Sequence, residues 1–211
     1  GSATAICATG LARLGHEVWF ASKVGADSRG RFCLEFLEQH HVNVSFVKQD
    51  PNLKTGLTVS VSSSRNRGLI TYMGAIAEFS ADDVDPSVLA NFRHLHMSSY
   101  YMQVSLRPGF KTLLRRARQL GLTTSLDPQF DPDERWAPDL VETLRDVDMF
   151  LPNDVELRGI TGNADPAEGL RLIRNGHTIT VVKLGAAGCM TLSGNTAVSV
   201  PSLPVQPVDT T

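Results

Sequence analysis

This chain has few cysteines, no excess of positive charge and no long apolar run. Its three cysteines, Cys7, Cys33 and Cys189, lie far apart and form no CxxC pair. That usage excludes a disulfide framework or a zinc knuckle and indicates a reduced, cytoplasmic protein. The 20 Lys and Arg residues are outnumbered by 22 Asp and Glu, so we expect no nucleic-acid partner. No apolar stretch could cross a bilayer, so we expect no membrane partner.

What the chain does contain is enough apolar sequence for one core. With 42% hydrophobic residues among 211, the composition predicts a single domain over residues 1–211. From residue 92 onward, short apolar strands alternate with amphipathic helices, and this order predicts a mostly parallel sheet covered by helices on both faces. The predicted strands are residues 94–98, 122–126, 149–151 and 178–184. The predicted helices between them are residues 106–119, 140–147 and 167–175.

The first half of the chain has a different pattern. It predicts helices over residues 5–14 and 29–39, a short buried strand over residues 18–21 and a further strand that begins at Val42. Residues 58–62 then alternate between apolar side chains and Ser or Thr, residues 63–68 form a polar turn, and residues 69–73 are apolar again. This alternation predicts a half-exposed antiparallel hairpin, inserted as a flap over about residues 57–74.

Polar residues follow the ends of three predicted strands, where ligands bind in open parallel sheets. Asp127 precedes a proline, so it is either a turn residue or a ligand. Asn153 is either the N-cap of a helix or, with Glu156 three residues later on the same face, part of a hydrated Mg²⁺ site. The turn from Gly185 to Gly188 is either a hairpin turn or a nest of backbone N–H groups for a phosphate.

Two familiar nucleotide motifs are absent from this sequence. It contains neither GxGxxG after a first strand nor the Walker pattern GxxxxGK[ST], which disfavours a dinucleotide fold and a P-loop. His94 and His96 form a His-x-His pair that faces one side of a predicted strand. Without a third ligand in the sequence nearby, a packed strand is the favoured interpretation over a metal site.

Taken in order, these segments resemble the ribokinase-like (PfkB) carbohydrate kinases, and the resemblance covers nearly the whole chain. It implies a three-layer α/β/α fold with a mostly parallel sheet and a small β lid. The motifs that carry it are residues 10–15, residues 23–27 with Gly30, Asp127-Pro128, residues 152–156, residues 182–188 and, at the end, Val208-Asp209-Thr210-Thr211.

The resemblance implies ATP-dependent phosphorylation of a sugar-like hydroxyl, with Mg²⁺ as cofactor and a sugar and ATP as partners. It places nucleotide contacts at Asn153, Lys183, Gly185, Ala186 and Gly188. It places substrate contacts at Gly1, Ser2, Ala3 and Asp127. It places Mg²⁺, through water, at Glu156, and a monovalent cation such as K⁺ at Asp209 and Thr211.

The resemblance also implies that no catalytic residue lies within the chain. The family's base would follow Thr211 directly, and the family's first strand would precede Gly1, so we expect this stretch alone to have little kinase activity. Two segments depart from the family pattern. Residues 5–7 replace a frequent Asn, and residues 127–131 replace Asp-x-Asn-x-Arg, which alters two substrate contacts.

Several alternatives stay open from the sequence. The protein is alternatively a related vitamin, pyrimidine or nucleoside kinase, an ADP-dependent sugar kinase, or a non-catalytic regulator that binds sugar or nucleotide. The residues quoted above do not identify the sugar. The Ser-rich hairpin is compatible with a homodimer formed through the lid.

Overall fold

The computed structural model describes residues 2–62 and 67–205, and its contacts divide them into two compact units. One unit comprises residues up to 84 together with 102–108. The other comprises residues 85–101 together with those from 109 onward. A single domain over residues 1–211 stays a prediction. No helix in the described part of the chain is long and apolar enough to cross a membrane.

The first unit opens with two helices and two parallel strands. Small and apolar side chains, Ala8, Leu37 and Val42, form its buried cluster. Ser2 caps the first helix by accepting a 3.2 Å hydrogen bond from the Ala5 N–H, and Gly15 (φ 87°) follows the end of that helix. The elements are α1 (Ala3–Arg13), β1 (Val18–Gly25), α2 (Ser28–Gln39) and β2 (Val42–Asp50), with β1 parallel to β2.

Strand β1 differs from the prediction of a short buried strand over residues 18–21. It continues to Gly25, and its first residues alternate between intermediate and exposed positions rather than being buried. The extension has a clear physical origin, since pairing with β2 continues to Gly25 opposite Asp50. Only Val24 and Gly25, at its end, are buried.

One carboxylate organises the chain after β1. Asp27 caps α2 by accepting from the Gly30 N–H at 2.8 Å, and it also accepts from the Thr55 N–H at 2.9 Å and the Thr55 hydroxyl at 2.7 Å. Hydrogen bonds from Thr55 and Gly30 therefore hold the pKa of Asp27 far below its usual range. Gly30 is required for this close approach, because a Cβ there would lie 2.2 Å from the Gly25 carbonyl oxygen.

The predicted hairpin is present as β3 (Leu57–Ser62) and β4 (Arg67–Tyr72), paired antiparallel with Val59 opposite Ile70. The antiparallel pairing was predicted correctly, but the expectation of a half-exposed hairpin was wrong, because all the side chains that the structure describes on both strands are exposed. Leu57, Val59, Ile70 and Tyr72 share one apolar face. The centre of the predicted turn, residues 63–66, lies outside the described residues.

The second unit contains a mixed sheet of six strands in the order β10-β9-β8-β7-β6-β5. The four strands predicted here are present, with ends that differ by one residue at most, and they run parallel. The α/β fold class with a mostly parallel sheet is thus confirmed. The strands are β5 (His94–Ser98), β6 (Thr123–Asp127), β7 (Met149–Phe150), β8 (Ile179–Lys183), β9 (Cys189–Ser193) and β10 (Thr196–Val200).

Strands β9 and β10 were not predicted. They form an antiparallel hairpin on the edge of β8, joined at Gly194-Asn195. Gly194 has φ 60°, a conformation that Gly adopts readily, and a Gly-Asn pair between two apolar runs is a recognised hairpin signal. The sequence therefore contained the information that would have found this hairpin.

The three helices of the second unit whose bounds were predicted are shorter than expected, and the helix expected after Asn153 is also present. The four are α3 (Phe110–Gln119), α4 (Asp139–Thr143), α5 (Asp154–Thr161) and α6 (Pro166–Leu172). Residues Arg107–Gly109 form a 3₁₀ turn instead of the first turn of α3, and Pro108, which lacks an N–H, lies inside it. Helix α4 passes directly into a 3₁₀ turn, Leu144–Asp146, in which the Val147 N–H donates to the Leu144 carbonyl at 3.1 Å.

One face of the parallel strands forms the core of this unit. Leu126, Phe150 and Val182 are fully buried on this face, and α3, α5 and α6 pack against β6 and β8. Because side chains alternate along a strand, Thr123, Ser125 and Asp127 point to the opposite face. Polar side chains that lie at the ends of the strands are thereby kept out of the apolar core.

Candidate active site

Four of the predicted site residues converge at the carboxyl ends of β6, β7 and β8. Asp127 ends β6, Asn153 follows β7 and caps α5, and Lys183 ends β8. The Lys183 N–H donates to the Pro152 carbonyl at 2.8 Å, and Asn153 and Lys183 form a parallel β-bridge. The parallel register thus places residues from three sequence segments at one edge of the sheet, together with Glu156 on the first turn of α5.

Asn153 and Glu156 form a reciprocal cap at the start of α5. The Asn153 side-chain oxygen accepts from the Glu156 N–H, while the Glu156 carboxylate accepts from both the backbone N–H and the side-chain amide of Asn153, all at 2.8 Å. The N-cap interpretation of Asn153 is therefore correct. The cap leaves the second N–H of the Asn153 amide available to an additional acceptor.

Glu156 is a buried carboxylate, with 3% of its surface exposed. Burial raises the pKa of Glu156 above its usual value, the hydrogen bond from Asn153 opposes that rise, and the charge of Asp127 adds to it. The positive charge of Lys183 acts in the opposite direction. The carboxylate is therefore desolvated in a setting where a nearby cation would favour its charged form.

The residues present fit a cation held through water rather than by direct bonds. Each Glu156 carboxylate oxygen already accepts one hydrogen bond, and the side chain is almost inaccessible. Among the described residues, no group of three or more His, Cys, Asp or Glu side chains could hold a metal directly. Mg²⁺ usually keeps several of its waters and takes few protein ligands, which suits this arrangement.

Asp127 and Lys183, predicted to serve substrate and nucleotide respectively, form an ion pair. The Lys183 ammonium lies 2.7 Å from Asp127 Oδ2, and the other carboxylate oxygen accepts from the Gln129 N–H at 3.2 Å. The Lys183 side chain is 45% exposed and that of Asp127 is 19% exposed. The Asp127-Pro128 segment is therefore both a turn and part of the candidate site, so the two interpretations are compatible.

The glycine turn after β8 is a hairpin turn between β8 and β9. A Cβ on Gly188 would lie 2.0 Å from the Val200 carbonyl oxygen, so the close approach at Gly188 is to the chain's own strand β10. A Cβ on Gly185, in contrast, would meet nothing within 4 Å. The Ala187 N–H donates to the Leu184 carbonyl, which leaves the N–H groups of Gly185 and Ala186 without a partner inside the turn.

The remaining predicted site residues are not part of this cluster. Ser2 and Ala3 lie at the start of α1 in the first unit, where Ser2 acts as a helix cap, and their substrate contacts stay predictions. Gly1, Asp209 and Thr211 lie outside the described residues, and so does the whole Val208-Asp209-Thr210-Thr211 motif.

The segment after Asp127, which departs from the family pattern, is organised by a buried carboxylate that the sequence did not single out. Asp131 accepts from the N–H groups of Asp133, Arg135 and Trp136 at 3.1, 3.0 and 2.7 Å. Trp136 then packs on α5 at Gly159, where a Cβ would lie 2.1 Å from its ring. Asp131-Pro132-Asp133 is a turn sequence, which was the available signal.

His94 and His96 do not form a metal site within the described chain. His94 Nε2 and His96 Nδ1 each lie 2.7 Å from the Ser125 hydroxyl, and His94 Nδ1 lies 2.7 Å from the Thr123 hydroxyl. Burial lowers the pKa of His96. Both histidines thus contact hydroxyl side chains of β6.

Comparison with known proteins assigns the family. A family model described as pfkB family carbohydrate kinase matches residues 3–211. An uncharacterized sugar kinase of Archaeoglobus fulgidus is 28% identical over 202 residues, which are 96% of this chain and 80% of that protein.

Solved structures agree with this assignment. The PfkB protein from Polaromonas sp. JS666 is 28% identical with a TM-score of 0.85, over 97% of this chain and 73% of that one. The fructokinase from Vibrio cholerae O395, solved with fructose, ADP and calcium ion bound, is 26% identical with a TM-score of 0.81, over 99% and 70%. The chain belongs to the pfkB family of carbohydrate kinases, enzymes that transfer phosphate to an alcohol group of a sugar.

Proposed function

We propose that the cluster of Asp127, Asn153, Glu156 and Lys183 is where this kinase holds the phosphates of ATP and presents a sugar hydroxyl to them. The observation that carries the proposal is the convergence of these side chains at the carboxyl ends of three adjacent parallel strands. Ligands bind at that edge of such sheets.

On the nucleotide side, the chain supplies donors and positive charge. The Lys183 ammonium and the free Asn153 N–H would contact phosphate oxygens, and the N–H groups of Gly185 and Ala186 would extend that contact along the nucleotide. Gly188 would support the turn. Phosphoryl transfer depends mainly on positioning and on neutralising phosphate charge, so donors fixed by backbone pairing suit the task.

Glu156 would hold Mg²⁺ through its water shell. A bound Mg²⁺ neutralises charge on the phosphates during transfer. The reciprocal cap with Asn153 fixes the carboxylate in one orientation, so that the amide contacting the phosphates and the carboxylate facing the cation move as one body. A monovalent cation at Asp209 and Thr211 is a further part of the proposal.

On the substrate side, Asp127 would accept a hydrogen bond from a sugar hydroxyl, with Gly1, Ser2 and Ala3 as the other predicted contacts. The relative from Vibrio cholerae was solved with fructose and ADP bound. A ketohexose and an adenine nucleotide are accordingly the first ligands to try. Vitamins and nucleosides are the alternatives that a substrate panel would separate.

We also propose a homodimer formed through the hairpin of β3 and β4. The apolar side chains of Leu57, Val59, Ile70 and Tyr72 lie on one exposed face, an arrangement that a second copy of the hairpin would cover. Val59→Lys should shift the chain towards monomer in sedimentation velocity, whereas Thr58→Lys, on the opposite face, should not. Equal sedimentation of both variants and the parent would contradict the dimer.

The phosphate site is tested by isothermal titration of the chain with ADP and Mg²⁺. We expect Glu156→Gln to weaken binding in the presence of Mg²⁺ and to change metal-free binding much less, because Glu156 acts through the cation. Val155→Ala, on the adjacent exposed position of α5, is the matched control. Equal binding by the parent and Glu156→Gln at every Mg²⁺ concentration would contradict the proposed role.

A further inference from the structure

The Asp127–Lys183 ion pair joins two residues that the proposed function gives to different ligands. Lys183 Nζ lies 2.7 Å from Asp127 Oδ2, although the two residues are 56 positions apart in the chain. In this arrangement the ammonium that would contact phosphate is held by the carboxylate that would accept a sugar hydroxyl. Asp127 therefore occupies the ammonium group with which Lys183 would bind phosphate. Lys183 likewise occupies the carboxylate oxygen with which Asp127 would bind the sugar.

The backbone on both sides of the pair is fixed, so only the side chains can exchange partners. Lys183 is tied at its N–H to the Pro152 carbonyl and by its bridge to Asn153. Asp127 is the last residue of β6, and its Oδ1 is held by the Gln129 N–H. The long flexible stem of Lys183 is the element that can swing while Asp127 Oδ2 stays in place.

The exchange faces little resistance from the pair itself. Lys183 is 45% exposed, so water screens its attraction to Asp127. A nucleotide polyphosphate carries several negative charges, whereas Asp127 carries one, so a polyphosphate at the turn of residues 185–188 would compete well for the ammonium. Asp127 and Glu156 would then lack their nearby cation, which favours the entry of a divalent cation together with the nucleotide.

We propose that the Asp127–Lys183 ion pair couples nucleotide binding to substrate binding. A phosphate anion draws the Lys183 ammonium away from Asp127 and thereby frees Asp127 Oδ2 for a sugar hydroxyl. This inference rests on the proposed function. In the chain without ligands, Asp127 competes with the nucleotide for the Lys183 ammonium. The inference also predicts that bound nucleotide increases the affinity of the site for the sugar.

The test is a double-mutant cycle read by isothermal titration with two probes, metal-free inorganic tripolyphosphate and ADP with Mg²⁺. Asp127→Asn removes the competing charge and keeps the side-chain shape, so both probes should bind about two- to fivefold tighter, the range of an exposed ion pair. In a Lys183→Met background the same substitution should have no such effect. Asp127→Ser carries the same expectation if the amide variant does not fold by circular dichroism.

Asp154→Asn is the matched control, because Asp154 is an exposed carboxylate beside Asn153 with no contact to Lys183 recorded in the structure. It should alter binding less than Asp127→Asn does. Unchanged or weaker binding by Asp127→Asn would overturn the coupling, and so would equal tightening with and without Lys183. Neither result would contradict the proposed phosphate site. If the parent chain binds neither probe, the proposed phosphate site fails, and the coupling fails with it.

Discussion

The N-termini of α2 and α5 both carry a carboxylate that accepts backbone N–H hydrogen bonds, yet the pKa values of the two carboxylates are shifted in opposite directions. Asp27 receives two backbone N–H groups and a hydroxyl, and these hydrogen bonds lower its pKa. Glu156 receives only the amide groups of Asn153 and is buried, and burial raises its pKa.

The difference separates a structural carboxylate from one suited to binding. The hydrogen bonds of Asp27 join the start of α2 to the loop at Thr55, and they favour its charged form without any ligand. The hydrogen bonds that Glu156 accepts from Asn153 do not outweigh its burial, so an additional cation would stabilise its charged form. A perturbed carboxylate in a cluster of polar groups is a candidate for function, whereas an equally perturbed one in a loop is not.

The largest expected effect tests the packing around Asp27. Gly30→Ala would place a Cβ 2.2 Å from the Gly25 carbonyl oxygen, and the backbone would have to move. We expect the free energy of unfolding to fall by about 1–3 kcal/mol, as overpacking usually does, measured by urea denaturation. Gly10→Ala in α1 is the control. A Cβ there meets nothing within 4 Å, so we expect a gain of up to about 1 kcal/mol. Equal stability of the two variants would contradict the close approach.

The next largest effect on stability is expected from removing the N-cap of α5. Asn153→Ala removes the helix cap and leaves the buried Glu156 without the amide donor, so we expect a loss of about 1–2 kcal/mol in unfolding free energy. We also expect weaker binding of ADP with Mg²⁺. Ser2→Ala, which removes the single cap bond of α1, should reduce stability and leave ADP binding unchanged. A stable Asn153→Ala variant that binds ADP normally would show that α5 needs neither interaction.

The pH dependence of stability should have opposite signs at the two carboxylates. The pKa of Asp27 is lowered from 3.8, so its contribution is present above that pH and is lost as the pH falls through the folded-state pKa. The pKa of Glu156 is raised from 4.5, so the stability associated with it is greatest below that pH and is lost as the pH rises through the folded-state pKa.

These signs can be read from urea midpoints measured between about pH 2 and pH 8 by comparing each variant with the parent. Asp27→Asn should remove part of the acid-side loss of stability, and Glu156→Gln should remove part of the loss on raising the pH from about 4.5. Glu38→Gln, at an exposed position of α2, serves as the control with little effect on either limb. Parallel pH profiles for the parent and both test variants would refute the contrast.

The smallest expected effect concerns a third carboxylate, that of Asp83, which forms ion pairs with Lys23 and Lys48. Burial tends to raise its pKa, but hydrogen bonds from Lys23, the Ser80 N–H and Lys48 outweigh burial and lower the pKa to about 2. Lys48 is 52% exposed, so Lys48→Met should lower the unfolding free energy by at most about 1 kcal/mol, and less in high salt. Lys23→Met, at a less exposed lysine, should have the larger effect. The reverse order would show that exposure does not govern these pairs.

Much of the candidate site could be predicted from sequence because it follows local rules. Asn153 and Glu156 are three residues apart at a helix start. At that spacing, local helix geometry alone allows each side chain to accept a hydrogen bond from the backbone N–H of the other residue. The position of Asp127 at the end of β6 followed from the apolar run before it. The ion pair between Asp127 and Lys183 could not be predicted, since it depends on β7 being short and on the register of three strands.

The glycines illustrate the same limit. The sequence marks Gly185 and Gly188 as a turn, but it cannot tell which one is required by the fold. Gly188 is required because the Val200 carbonyl of β10 approaches it, and β10 was not predicted. Gly185 is open, which leaves it as the position in the turn where a ligand could approach the backbone.

The sequence by itself determined the family, the alternation of strands and helices and the identity of the polar residues at the strand ends, because these depend on periodicity and short motifs. The tertiary structure alone decided how those residues pair and which of their charges are compensated. Burial and hydrogen bonding set the pKa of a carboxylate, and both depend on segments distant in the chain. Asp27 and Glu156 are both acidic residues at helix starts, and only their surroundings distinguish a structural residue from a candidate for binding.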